Sequence, residues 1–146
     1  MIFKYSYNII YSYNILYYMN IIQKRFLAFL LGCIVLRLLF VLVTKYSNPD
    51  WLPYFGALAL LPAFGFMFIY LFEYRKKGGE TFGQKIWWDH LRPIHACFYL
   101  LFALWAFRKK HYAWVALFID VFIGLFSFLF YHYNANNFDK LFSKIF

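Results

Sequence analysis

The sequence predicts an all-α integral membrane protein: a bundle of four transmembrane helices with an interfacial loop and a C-terminal amphipathic helix. Three observations lead there. Hydrophobic residues make up 64% of the 146 and charged residues only 14%, against about 45–50% and about 25% in soluble chains. A chain of this length cannot hide so much apolar surface inside itself, so the excess faces lipid. The apolar residues fall into four blocks near the length that crosses a bilayer, and basic residues stand between the blocks. Disorder, a disulfide scaffold and an ordinary soluble enzyme are excluded. Cys33 and Cys97 both fall in apolar runs and read as small buried hydrophobes, not a disulfide.

Residues 1–23 form a low-complexity Tyr/Asn/Ile segment, in which Tyr5-Ser6-Tyr7-Asn8-Ile9 recurs as Tyr11-Ser12-Tyr13-Asn14-Ile15. Polar residues interrupt its apolar character and no small-residue cleavage site follows, so it does not read as a signal peptide. Tyrosine prefers the headgroup level, which predicts an interfacial or loosely ordered segment, with a poor extra span that would flip the N-terminus as the alternative. Met19, just before Lys24-Arg25, is an alternative start for the chain.

A membrane domain is expected over 24–134. Its first span, 26–44, contains Arg37. Fourteen of its residues are Leu, Ile, Val or Phe, and at about −0.3 to −0.6 kcal/mol each they outweigh the roughly +2.5 to +3.5 of one central arginine. Asn48-Pro49-Asp50 is a turn, with Trp51 and Tyr54 as interface anchors. The second span, 52–72, carries Pro62, which frees the carbonyl of Leu58. Gly56, Ala59, Ala63 and Gly65 offer small surfaces for close helix packing. The loop over 73–92 holds the basic turn Arg75-Lys76-Lys77-Gly78-Gly79 and an interfacial stretch over 82–91. The third span, 90–107, is short: counted from Pro93 it covers about 22 Å. The fourth, 112–131, contains Asp120. In the tail over 135–146, Phe138, Leu141, Phe142, Ile145 and Phe146 share one helical face, the pattern of a helix lying on a membrane.

Charge sets the expected orientation. Ten basic residues fall on the side of the termini and the 73–92 loop, and four on the other. Both termini are therefore expected in the cytoplasm. The formal charge of +9 is topological and attracts anionic lipid headgroups; no nucleic-acid partner is expected.

Two constellations could carry chemistry. Arg37 and Asp120 are intramembrane charges, about 10 and 12 Å from the outer ends of their spans by helical rise. Opposite charges at matched depth on antiparallel helices can pair. The pair reads foremost as a structural ion pair, with a proton or ion relay as the rival. The second is the interfacial polar cluster Asp89, His90, Arg92, His95 and Tyr99, in which Arg92, His95 and Tyr99 form one stripe at i, i+3 and i+7. His90 and His95 lie about 140° apart around a helix, so they make no shared metal face. No catalytic, cofactor-binding or metal-binding residues are assigned: GxxxxGK[ST], HExxH, GxSxG and CxxC are all absent.

The run Phe82-Gly83-Gln84-Lys85-Ile86-Trp87-Trp88-Asp89-His90-Leu91-Arg92-Pro93-Ile94-His95-Ala96, followed by Tyr99-Leu100-Leu101-Phe102-Ala103, resembles small multispanning membrane proteins of large DNA viruses. The resemblance extends over about 24–133, and the tyrosine repeat departs from it. It implies a viral or host internal membrane, and no activity or functional residue comes with it. The expected function is that of a non-enzymatic membrane component or organiser, partnered by a second copy or by viral membrane or capsid proteins. A small oligomeric transporter or channel is the alternative, and a membrane-interface enzyme the second.

Overall fold

The computed structural model describes residues 19–75, 77–78 and 86–142, and these fold into helices and connecting turns. The tyrosine repeat, residues 82–85 of the interfacial stretch and the last four residues of the tail lie outside the described residues.

Helix α1 runs Ile21–Tyr46, starting ahead of the expected span. Its start is a capping box: the Asn20 N–H donates to Gln23 Oε1 at 2.8 Å, and the Asn20 side chain accepts from the Ile22 N–H. Ala28–Val35 is π-helical before the α-helix resumes at Leu36. Each wider turn holds an extra residue and rotates everything beyond it relative to an α-helix. Asn48 then accepts from the Asp50 N–H at 3.1 Å and turns the chain into α2, Leu52–Leu71.

Helix α3, Arg92–Phe107, follows a single turn over Asp89–Leu91. It is the most enclosed of the long helices, burying Arg92, His95, Ala96, Tyr99, Phe102, Ala103 and Ala106. Helix α4, Trp114–Asn134, returns beside α3 and α1. Three helices are long and apolar enough to cross a membrane: Ile21–Tyr46, Pro49–Leu71 and His111–Asn134. At 16 residues, α3 is about 24 Å long and stops short of that length.

The α2–α3 contact is set by small residues. Gly56, Ala59 and Ala63 are buried on one face of α2. A Cβ on Gly56 would lie 3.1 Å from Ala106 Cβ and 3.2 Å from the Ala103 carbonyl, so the helices approach as closely as their backbones allow. Gly65 does not join them, and nothing lies within 4 Å of a Cβ built on it. Nine residues beyond Gly56, it is about 180° around the helix. Phe40 sits between Phe55 and Phe102, at ring-centroid distances of 6.2 and 5.7 Å. The outer faces are apolar: Leu36 is 62% and Leu61 71% exposed, a distribution suited to lipid. Cys97, expected to be buried, faces outward with them, and Cys33 is half-buried.

The tail helix α5, Asn137–Phe142, packs part of its apolar face onto the protein. Phe138 and Leu141 pack against Ile22, Phe26 and Phe128, with Phe138 in edge contact with Phe26 at 5.6 Å. Gln23 Nε2 donates to the Leu141 carbonyl at 2.9 Å. The reason is local: the start of α1 offers an aromatic surface and an amide donor to the last open carbonyls of α5. Phe138→Ala is expected to cost roughly 1–2 kcal/mol, below the ~3–5 of a fully buried phenylalanine. It should also speed maleimide labelling of a cysteine placed at 141; unchanged labelling would mean the tail is held otherwise.

Candidate functional site

Three helices each bring one polar side chain to a single point. Arg37 comes from α1 just beyond the π-helical stretch, His95 from the first turn of α3, and Asp120 from the second turn of α4. Arg37 Nη1 donates to Asp120 Oδ2 at 3.0 Å. The other carboxylate oxygen, Oδ1, contacts His95 Nδ1. A carboxylate only accepts, so with Asp120 ionised the Nδ1–H is the donor in this contact. Arg37 Nη1 also stands 3.3 Å from His95 Nδ1.

Burial divides these groups unequally. The Asp120 side chain is 1% exposed, whereas that of Arg37 is 19% exposed. The anion is sealed and the cation keeps one open side. Gly124, one turn after Asp120, leaves room for them: a Cβ there would stand 3.5 Å from His95 Cε1 and 3.6 Å from Arg37 Nη1. Phe66 of α2 lies beneath the guanidinium, with Arg37 Cζ 5.6 Å from its ring centroid. The same ring is 5.8 Å from His95 and 6.1 Å from buried Tyr99. Helix α2 therefore meets Arg37 with an aromatic face. Leu58, whose carbonyl Pro62 frees, is 53% exposed and lies on the outer side.

The interfacial cluster separates. Arg92 is buried, pairs with Asp89, and donates through Nη2 to the Arg75 carbonyl at 3.1 Å. That bond ties the start of α3 to the chain leaving α2. Arg92, His95 and Tyr99 do share the inner face of α3. His95 leaves the cluster for Asp120, and exposed His90 points elsewhere. It lines an open groove of about 530 Å³ with Phe126, Phe130 and Tyr131. Trp87 stacks on Tyr131 at 4.6 Å, and Trp88 meets Trp87 edge-on at 5.3 Å. Trp87 thus packs on α4, and Trp88 leans on Trp87.

A second polar contact lies near the end of α4. Buried His132 accepts at Nδ1 from Asn137 Nδ2 at 2.9 Å, among Phe26, Phe128 and Trp87. The spacing of Phe128 and His132 at i, i+4 is the sequence signal that points to it. Among the described residues, no group of three or more His, Cys, Asp or Glu side chains is placed to hold a metal.

A cavity of about 210 Å³ joins the two constellations. It is walled by Arg37 and His95 at one part and by Arg75, Arg92, Trp87 and Trp88 at another. Phe29, Ile34, Phe66 and Ile69 supply apolar wall. Compared with known proteins, the chain matches no family model, no curated protein and no solved structure.

Proposed function

We propose that this chain is a non-enzymatic integral membrane protein and acts as a component or organiser of a membrane, of viral or host-derived origin. The observation that carries the reading is the closure of the Arg37–His95–Asp120 network. Both oxygens of Asp120 are engaged, by groups from two other helices. A carboxylate held in this way fixes how helices pack, whereas a relay needs a carboxylate free to change partners.

On this reading the chain crosses the bilayer four times, with α3 as the third span beside the three longer helices. Its 16 residues are accommodated by local thinning of the bilayer, which costs fractions of a kcal/mol per Å. Lys24, Arg25, Arg75, Arg92 and Lys140 then stand at the cytoplasmic end, and Lys45, Arg108, Lys109 and Lys110 at the other. The viral assignment rests on the resemblance of the 82–96 run.

Two measurements test this. A cysteine at position 80 should be labelled from the cytosol and one at position 48 from the far side; the reverse pattern rejects the orientation. Purified protein in liposomes should conduct protons and small ions no faster than empty vesicles. A selective flux abolished by Asp120→Asn would replace the organiser with a transporter or channel.

A further inference from the structure

The cavity beneath the tryptophan pair has a one-signed lining. Arg37, Arg75, Arg92 and His95 all contribute to its wall, and among the described residues no Asp or Glu does. Asp120, the partner of Arg37, is sealed behind it, and the half-exposed side chain of Asp89, the partner of Arg92, lies outside the wall. Arg37 turns its open side to the cavity.

Three arginines lining one space suit the oxygens of a phosphoryl group, which accepts several N–H donors at once. The size fits as well. At about 30 Å³ of liquid volume per water, 210 Å³ holds roughly seven waters, enough for a phosphoryl group and its ester oxygens. The rest of the wall is aliphatic and aromatic, which suits the start of an acyl-glycerol and not a free, fully hydrated ion. Position agrees too. Arg92 is three residues before His95, so these nitrogen-bearing side chains descend about 4.5 Å from the end of α3 into the protein. That end carries the 73–92 loop, which the topology above sets at the cytoplasmic leaflet, where anionic lipids concentrate.

We propose that this cavity binds the phosphate of an anionic phospholipid, of the phosphatidic-acid type, drawn from the cytoplasmic leaflet. The inference rests on the membrane-spanning reading for its location. The lipid's phosphate bridges Arg92 and Arg75 near the opening and reaches toward Arg37, and its glycerol meets Trp88 and Leu91. A bound lipid joins the 73–92 loop to α1 and α3, which gives a membrane organiser sensitivity to lipid composition.

Full-length protein in nanodiscs containing equal phosphatidic acid and phosphatidylcholine supplies the test, with lipids retained on the protein counted by native mass spectrometry. Wild type should retain phosphatidic acid over phosphatidylcholine by at least about tenfold, the worth of one charge-assisted hydrogen bond. Arg75→Gln with Arg92→Gln spares the buried network and should abolish the preference. Arg108→Gln with Lys110→Gln, at the far end, removes the same charge and should preserve it. Equal retention of the two lipids, or equal loss in both double variants, would overturn the site in favour of general surface charge. Displacement of the lipid by millimolar inorganic phosphate, with the same arginine dependence, would overturn the lipid as occupant and leave a soluble phosphate. Retained phosphatidylcholine shows that the protein is in the bilayer, so loss of headgroup preference alone rejects this site and not the membrane reading.

Discussion

Asp120→Ala and Arg37→Ala are each expected to destabilise the protein by about 3–5 kcal/mol, the usual loss when one partner of a buried ion pair is removed. The two need not be equal. Without Asp120, Arg37 can turn toward the cavity through its open side, but His95 loses its acceptor. Without Arg37, a carboxylate that is 1% exposed keeps only His95. Arg37→Ala is therefore expected to be the more damaging. The double change Arg37→Leu with Asp120→Leu should recover most of the loss, because no charge is left stranded and leucine fills much of the space. Unfolding in mixed micelles measures all three. Single variants as stable as wild type would show that α1 and α4 do not meet through these charges.

Gly56→Leu should cost about 3 kcal/mol, at the upper end of overpacking effects. The position has no slack: the first added carbon already meets Ala106 Cβ at 3.1 Å and the Ala103 carbonyl at 3.2 Å. Neither is the far end of a flexible chain, so the helices themselves must part. Separation of α2 from α3 would also move Phe66 off Arg37 and His95, since Phe66 shares α2 with Gly56. Gly65→Leu is the control, because that position is open, and it should be neutral within about 0.5 kcal/mol. The same unfolding assay decides. Equal tolerance at the two glycines would mean that α2 and α3 are not in close contact at Gly56.

Much of this arrangement is legible in the amino-acid sequence. The apolar blocks predict helices apolar enough to cross a membrane, because backbone groups in hydrocarbon must bond internally. Helical rise puts Arg37 and Asp120 at matched depth. The stripe Arg92–His95–Tyr99 is legible because those residues sit inside a helix, where three- and four-residue steps return to one face. The role of His95 is not. It lies three residues from the start of α3, whereas Asp120 lies fourteen from the end of α4, and only the placement of α3 relative to α4 joins them. Gly65 groups with Gly56 in the sequence but not in the fold, because composition marks a residue as small and says nothing of where it faces.

By itself the sequence determined the helical class, apolar blocks long enough to cross a membrane, and the expectation that the two charges set within those blocks meet. These follow from local composition and from the cost of leaving charge or peptide groups in hydrocarbon. Tertiary structure decided the rest. The π-helical stretch Ala28–Val35 sets the rotation of everything beyond it on α1, and with it the direction in which Arg37 points. Close approach at Gly56 brings Phe66 to the network, docking against Phe26 turns Phe138 and Leu141 inward, and the Trp87–Tyr131 stack closes the cavity wall. Each depends on relative helix rotation and separation. Those are set by interlocking side chains from segments far apart in the chain, so no local pattern encodes them.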